Sequence, residues 1–178
     1  MTTRYLALLR GINVGGNNII RMVDLKACFE SMGFDRVVTY IQSGNVLFDS
    51  SENDKEKLTN AIENSLSDRF AYNARVVLIT QKMVQRVVAQ APNGFGTEPE
   101  AYRYVVFFLK EPMTTTVAKE SIKTRDGVDF VWFENGVVYF SRLISKAGQS
   151  YMNGIIKTPL YKYLTIRNWN TTSRLTEL

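Results

Sequence analysis

The chain has 178 residues, a formal net charge of +5, one cysteine and no histidine. The absence of histidine excludes Ser–His and Cys–His nucleophile pairs and His-containing zinc sites, and the lone Cys28 cannot form an internal disulfide. No apolar run approaches the ~18 residues of a membrane-spanning helix, and the N-terminal apolar stretch is shorter than a secretory signal core, so we expect a cytoplasmic protein without membrane contact.

The first part of the chain alternates strand and helix patterns. Four runs rich in branched and aromatic residues predict strands, at Arg4 to Arg10, Arg36 to Ile41, Val46 to Asp49 and Ala74 to Ile79. Between them, apolar residues recur at spacings of three and four, as in Met22, Leu25, Phe29 and Met32, and again in Leu58, Ile62 and Leu66. Cys28 lies on the first of these stripes, so we expect it to be buried. The order β-α-β-β-α-β predicts a split βαβ unit with an antiparallel sheet.

The turn after the first strand contains Gly11, Gly15 and Gly16, three glycines within six residues, and it precedes the first predicted helix. Backbone N–H groups in such a loop can bind an anion, aided by the helix dipole. Arg10 and Arg21 flank the loop. The alternative is a wide turn that needs positive φ angles. The turn Gln42–Asn45 follows the second strand, and we expect it at the opposite end of the sheet from the glycine loop.

The second part repeats this order. Thr80 can cap a helix, and a breaker-rich linker runs from Pro92 to Pro99. We then predict a strand (Arg103 to Leu109), a helix (Thr114 to Lys123), a hairpin (Val128 to Glu134 and Val137 to Arg142) turning at Asn135-Gly136, and a helical or irregular stretch (Gln149 to Tyr163). The final strand is missing or unrecognised. The predicted division is residues 1–79, a connecting helix and linker at 80–101, and 102–178.

The C-terminal region combines cations, amides and an aromatic ring. Residues 141–178 carry six Lys or Arg and one Glu. Arg167, Asn168 and Trp169 with Asn170 suit phosphate and base recognition. Alternatively, Trp169 anchors the tail in the core while Asn170 or Thr171 caps a terminal helix with Leu175 and Leu178. Eight aromatic residues fall on the second sheet, and because the signature of RNA-recognition modules is absent, we expect them to pack in the core. They are Tyr104, Phe107, Phe108, Phe130, Trp132, Phe133, Tyr139 and Phe140.

Three segments, LLRGINVGG at 8–16, TYIQSGNV at 39–46 and RNWNT at 167–171, resemble those of a bacterial family known as domain of unknown function 1697. The resemblance spans essentially the whole chain. It implies an α+β protein of two ferredoxin-like halves, with helices packed on antiparallel sheets. It implies no reaction, cofactor or catalytic residue. Thr172 departs from the family pattern, which is usually apolar there, so it bears on the packing of the last turn.

The leading functional prediction is a binding protein for an anionic or phosphorylated ligand, either a nucleotide or single-stranded nucleic acid. Arg10, Arg21 and Arg167 are predicted to contact the charge, with Gly15 and Gly16 as N–H donors. The predicted pocket also includes Gly11, Asn13, Asn17, Asn168 and Trp169. An enzyme of an unrecognised class and a protein-interaction module are the alternatives. No metal or cofactor site and no oligomeric state are predicted.

Overall fold

The computed structural model describes residues 2–134 and 136–178. The chain divides into two compact units. The first extends to Gln85 and includes Leu175–Leu178, and the second comprises Arg86–Arg174. None of the helices among the described residues is both long and apolar enough to cross a membrane.

The first unit contains the predicted β-α-β-β-α-β order. Its elements are β1 (Thr3–Leu9), α1 (Met22–Ser31), β2 (Asp35–Tyr40), β3 (Asn45–Ser50), α2 (Lys55–Phe70) and β4 (Val76–Thr80). The strands form an antiparallel sheet in the order β2-β3-β1-β4. The prediction of a split βαβ unit is confirmed.

The core of the first unit follows from the two periodicities of its sequence. Alternate residues of the strands, such as Ala7 and Phe48, face the helices. The apolar stripes of the helices meet them, and Cys28 on α1 is fully buried, as predicted. Asp54 caps α2 by accepting a hydrogen bond from the Lys57 N–H. The helix α3 (Gln81–Ala89) follows β4, and the Thr80 hydroxyl accepts a hydrogen bond from the Met83 N–H, as the cap prediction requires.

The second unit repeats the topology of the first. Its strands and helices are β5 (Tyr102–Leu109), α4 (Thr115–Ser121), β6 (Asp129–Glu134), β7 (Val137–Leu143), β8 (Leu164–Asn168) and α5 (Trp169–Arg174). The sheet has the order β6-β7-β5-β8, which matches β2-β3-β1-β4 position by position. Asn135 of the predicted hairpin turn lies outside the described residues, but Glu134 pairs with Val137 on either side of it. The two-sheet α+β fold is confirmed.

Two predictions for the end of the second unit need correction. The fourth strand is present: β8 pairs antiparallel with β5, with Val106 opposite Arg167. Leu164 and Ile166 pack on the helix-facing core, an alternation that marks a strand in the sequence. The stretch before it forms three short 3₁₀ helices, Ile144–Gln149, Tyr151–Lys157 and Pro159–Tyr163. Asp129 holds this segment by accepting hydrogen bonds from the Ser150 hydroxyl and the Tyr151 N–H.

Candidate functional site

The glycine loop of the first unit contains a tight turn. Val14 and Asn17 form a β-bridge, and between them Gly15 and Gly16 have φ angles of +58° and +77°. The Asn17 N–H donates to the Val14 carbonyl over 3.0 Å. Two successive positive φ angles are typical of a type I′ turn, which glycine adopts without strain. Among the described residues, the N–H groups of Gly15 and Gly16 have no acceptor, and both glycines are exposed.

Asn13 uses its whole side chain to hold this loop together. Its amide nitrogen donates to the carbonyl oxygens of Ile20 (3.0 Å) and Gln42 (2.8 Å), and its amide oxygen accepts from the Ile20 N–H (2.8 Å). Its φ is +53°, a conformation that asparagine tolerates better than most residues. Asn18 adds a hydrogen bond to the Gly11 carbonyl at 2.7 Å. The side chain of Asn13 therefore has a structural role.

The expectation that the turn after β2 lies far from the glycine loop is wrong. The Leu9 N–H donates to the Gly44 carbonyl over 2.8 Å, and Asn13 reaches Gln42 as described above. The reason is that β1 and β3 are antiparallel neighbours, so the end of β1 lies beside the start of β3. Gly44 makes this approach feasible, because a Cβ there would lie 2.6 Å from the Ile12 Cδ1 atom.

The two arginines that flank the loop have partners within the protein. Arg21 forms a bidentate ion pair with Asp24, with Nε 2.7 Å from Oδ2. This hydrogen bond raises the pKa of Arg21 and lowers the pKa of Asp24. Arg10 is half-buried, and its backbone N–H donates a hydrogen bond to the Arg75 carbonyl over 3.0 Å. The charge of Arg21 is thus partly neutralised before any ligand arrives.

Arg167, the third predicted cation, lies in the interior of the second unit. Its side chain is on β8, and the residue is only 6% exposed. A guanidinium nitrogen donates to the Thr165 hydroxyl (2.8 Å) and to the Ile166 carbonyl (3.0 Å). Burial lowers the pKa of Arg167 to about 10. The structure places this guanidinium away from solvent.

Two neighbouring pockets lie in the second unit, and each is lined by one of the chain's two tryptophans. The first, here the Trp132 pocket, has a volume of about 190 Å³ and is lined by Phe95, Glu98, Tyr102, Tyr104, Phe130 and Trp132, among others. The second, the Trp169 pocket, has a volume of about 250 Å³ and includes Gly96, Tyr102, Arg103, Tyr104, Asn168 and Trp169. The two pockets share Tyr102 and Tyr104.

Phe95 lies between the two indole rings. Its centroid is 5.8 Å from that of Trp132 and 5.1 Å from that of Trp169, and both indole planes are at 89° to it. The Tyr104 ring is 4.9 Å away. These edge-to-face contacts are favourable for aromatic pairs and fix the rings relative to one another. The walls of both pockets are therefore held in place by ring packing.

The prediction that the aromatic residues of the second sheet are core residues is only partly right. Phe107, Phe108, Tyr139 and Phe140 are fully buried. Phe130 and Trp132 on β6 are 38% and 37% exposed, and both line the Trp132 pocket. They remain accessible because β6 is the edge strand of the sheet.

The segment predicted as a linker, Pro92 to Pro99, contributes residues to both pockets. The Phe95 N–H donates to the Pro92 carbonyl, and the Thr97 hydroxyl donates to the Gly94 carbonyl over 2.8 Å. Gly96 has a φ of +85°, and a Cβ there would overlap the Trp169 indole. The glycine therefore lets the indole lie directly against the loop backbone. The Gly-Phe-Gly pattern ahead of an aromatic strand was the signal for this site that the sequence analysis missed.

The charged side chains of the pockets are separated. Arg103, in the Trp169 pocket, is exposed and donates to the Asn168 side-chain oxygen over 3.2 Å. Glu98 is exposed and lines the Trp132 pocket. Within the described part of the chain, neither residue forms an ion pair. Residues 2–134 and 136–178 contain no cluster of three potential metal-ligating side chains.

The predicted N-cap of the terminal helix, Asn170 or Thr171, is wrong by two or three residues. Helix α5 begins at Trp169, ahead of Asn170 and Thr171. The Thr172 hydroxyl donates to the Asn168 carbonyl over 3.1 Å, and Thr172 is fully buried. Trp169 itself is half-buried because one side of its ring faces the pocket.

Comparison with known proteins decides the family. A family model described as "Protein of unknown function (DUF1697)" matches residues 1–139. The chain belongs to this family. A similar solved structure is that of the conserved bacterial protein SP0830 from Streptococcus pneumoniae, with a TM-score of 0.85 over 99% of this chain and 98% of that one. At 24% identity, this likeness shows the fold alone. None of the curated proteins matches the chain.

Proposed function

We propose that this protein binds a nucleotide across the Trp132 and Trp169 pockets. The observation that carries the proposal is the pair of pockets itself: two cavities that share Tyr102 and Tyr104, each with a tryptophan in its wall, and with an exposed arginine in one of them. This replaces Arg167 by Arg103 as the cation of the site and keeps Asn168 and Trp169 in the roles that the sequence suggested.

The sizes of the cavities favour a single ligand that occupies both. Pockets for small molecules usually measure roughly 300–1,000 Å³, and each cavity alone is smaller than that. A nucleotide has a planar base and a phosphate at opposite ends. Aromatic side chains stack bases with about 1–3 kcal/mol per base, and the planar guanidinium of arginine matches phosphate oxygens.

Arg103, which the sequence analysis did not propose, is better suited to contact the phosphate than Arg21 or Arg167, which it did. Within the described residues, its side chain makes one hydrogen bond, to a neutral amide, whereas Arg21 is paired with a carboxylate and Arg167 is buried. A phosphate that reaches Arg103 displaces no ion pair. Because Arg103 is exposed, a phosphate paired with it stays in contact with solvent, and neither charge is fully desolvated.

The glycine loop of the first unit stays a prediction as a separate anion site. The exposed N–H groups of Gly15 and Gly16 support it, while the internal partners of Asn13 and Arg21 limit what the loop can offer. The cytoplasmic location likewise stays a prediction, and it is compatible with a nucleotide ligand.

Intrinsic fluorescence tests the proposal, because both tryptophans are in the pockets. Nucleoside 5′-monophosphates titrated to about 10 mM are expected to quench the emission saturably and to raise the melting temperature. Trp132→Phe and Trp169→Phe each leave one reporter, and both remaining indoles are expected to respond. No saturable response in the wild-type protein would refute nucleotide binding.

The role of Arg103 has its own variant and control. Arg103→Gln is expected to weaken monophosphate binding at least about tenfold, because a charge-assisted hydrogen bond is lost. Arg86→Gln removes another exposed arginine of the same unit that lines neither pocket, and we expect it to bind like wild type. Equal affinities of Arg103→Gln and Arg86→Gln would remove Arg103 from the site.

The length of the ligand is tested by salt dependence. A short single-stranded oligonucleotide contacts several phosphate-binding cations, so its log affinity falls steeply and linearly with log salt concentration. With one arginine in the pockets, we expect a hexanucleotide to bind no more than about threefold tighter than a monophosphate and with a similar, shallow slope. A much tighter hexanucleotide with a steep slope would identify the ligand as single-stranded nucleic acid.

A further inference from the structure

We propose that the two pockets orient the nucleotide, with its base in the Trp132 pocket and its phosphate at Arg103, and that Glu98 selects a base that carries an exocyclic amino group. This inference rests on the proposed function and deepens it. It concerns the direction in which the ligand lies and the chemistry of the base, neither of which follows from binding alone.

The aromatic content of the Trp132 pocket favours the base. Five rings line it, from Phe95, Tyr102, Tyr104, Phe130 and Trp132. The Tyr102 centroid lies 5.9 Å from that of Phe130 and 6.1 Å from that of Tyr104, so the rings form a continuous wall. Such a wall stabilises a planar ring system by stacking, and it offers little to a phosphate.

The charges of Glu98 and Arg103 favour one orientation of the nucleotide across the two pockets. Glu98 lines the Trp132 pocket and Arg103 lines the Trp169 pocket. A phosphate in the Trp132 pocket would meet a carboxylate of like charge, whereas a phosphate in the Trp169 pocket meets a guanidinium. The two orientations therefore differ at both ends of the ligand. Only the orientation with the base beside Glu98 is favourable at both.

Glu98 is held in place while its carboxylate remains accessible. Its backbone carbonyl accepts hydrogen bonds from the N–H groups of Ala101 and Tyr102, at 3.1 and 2.9 Å. Within residues 2–134 and 136–178, its side chain has neither a hydrogen-bond partner nor an ion-pair partner. The residue is thus anchored by its backbone, and its carboxylate oxygens point to no competing donor of the protein.

An ionised carboxylate can only accept hydrogen bonds. It is therefore matched by an amino group at the edge of a base, as in cytosine and guanine, and it is repelled by a carbonyl oxygen at the same position, as in uracil. Hypoxanthine lacks the 2-amino group of guanine. We expect CMP to bind at least about tenfold tighter than UMP, and GMP at least about fivefold tighter than IMP, because a hydrogen bond to a charged group is gained.

The test uses the Trp169→Phe variant, in which Trp132 alone reports on its pocket. CMP, UMP, GMP and IMP are titrated against this protein and against its Glu98→Gln and Glu98→Ala forms. Both substitutions are expected to reduce each preference to less than about twofold. The glutamine side chain has one acceptor oxygen and no charge, and alanine has no acceptor in its side chain. The control is Glu100, an exposed glutamate that lines neither pocket. Glu100→Gln is expected to retain both preferences.

The orientation is tested by removing the phosphate. Cytidine is expected to quench Trp132 as fully as CMP does at saturation, but to bind at least about tenfold more weakly, and this difference should vanish in Arg103→Gln. The role of Glu98 is refuted if nucleotides bind but CMP is not preferred over UMP and GMP is not preferred over IMP. It is also refuted if these preferences remain in Glu98→Gln. A cytidine–CMP difference that Arg103→Gln does not change refutes the orientation. The absence of binding by every nucleotide refutes the proposed function instead.

Discussion

The two units share one strand order, yet they use their polar side chains in opposite ways. In the first unit, Asn13 donates and accepts three hydrogen bonds within its own loop and the neighbouring turn. In the second, the side chains of Glu98 and Arg103 stand at pockets, and Arg103 has a single amide partner among the described residues. The repeat of topology thus fixes where loops lie, while the internal partners decide which groups a ligand can reach.

A pair of glycines shows the same contrast. Gly44 in the first unit and Gly96 in the second each have a positive φ and each lie against a neighbouring side chain. The neighbours of Gly44 are the buried side chains of Ile12 and Leu9, whereas the neighbour of Gly96 is the half-buried indole of Trp169. The indole borders a pocket and can be displaced into it at the cost of its ring contact with Phe95, whereas the Ile12 and Leu9 side chains are enclosed.

We expect Gly44→Ala to have the largest effect on stability. Overpacking against Ile12 and Leu9, together with the positive φ, should destabilise the first unit by about 3 kcal/mol. Hydrogen exchange measured by mass spectrometry on peptides of β1 and β3 reports this unit separately. A decrease in unfolding free energy of less than about 1 kcal/mol would contradict this expectation and show that the turn relaxes to accommodate the methyl group.

Gly96→Ala sharpens the comparison. Because Trp169 can swing outward, we expect a smaller destabilisation of about 1–2 kcal/mol, but a loss of nucleotide quenching by that indole. Gly127→Ala is the matched control in the same unit, since Gly127 also has a positive φ, a Cβ there would meet no atom within 4 Å, and the residue lines neither pocket. It should share the strain and retain the pocket.

Asn13→Ala should destabilise the first unit by about 2 kcal/mol, because three hydrogen bonds are lost and backbone groups are left without partners. Asn17→Ala, at an exposed position of the same loop, should cost less than about 0.5 kcal/mol. Urea unfolding followed by far-UV circular dichroism measures both. Equal effects of the two substitutions would contradict the structural role of Asn13.

A tyrosine with a buried hydroxyl group in each unit gives a smaller contrast. The Tyr139 hydroxyl donates to the Val87 carbonyl over 2.6 Å, whereas the buried Tyr72 hydroxyl has no partner within the described residues. Tyr139→Phe should cost about 1 kcal/mol, and Tyr72→Phe should be neutral or stabilising by up to about 0.5 kcal/mol. Thermal melting of the two variants distinguishes them, and effects of the same sign and size would contradict the difference in bonding.

The same tyrosines also predict a loss of stability at alkaline pH. Burial raises the pKa of Tyr72 and of Tyr139 to about 12, while a tyrosine in an unfolded chain ionises near pH ~10. Between these values the unfolded state has released a proton that the folded state still holds, so stability falls as the pH rises. Urea midpoints measured from pH 9 to about 11.5 should fall less steeply in either Tyr→Phe variant.

Much of the fold could be predicted from local pattern. The four strands of the first unit, the stripe containing Cys28 and the cap at Thr80 were all identified from periodicity and turn chemistry. The strand β8 was missed, although Leu164 and Ile166 alternate as a strand requires, because it follows three short 3₁₀ helices and is only five residues long. Short elements leave too few residues for a period to be recognised.

The candidate site was predicted in part. The segment at Asn168 and Trp169 does line a pocket, and the linker from Pro92 to Pro99 turned out to line both. The sequence does not show that this linker folds back onto the start of β5, since that contact depends on the close approach of Gly96 to an indole more than seventy positions away. Pairings of this kind have no local signal.

Sequence alone determined the order of elements in the first unit and all but the last strand of the second, because alternation along strands and stripes along helices are local properties that burial of apolar surface converts into a register. Tertiary structure decided which polar groups are engaged: it buried Arg167 on β8, paired Arg21 with Asp24, and left Glu98 and Arg103 at the pockets. The availability of a charged group depends on neighbours that are distant in sequence, and only the folded chain brings those neighbours within hydrogen-bonding distance.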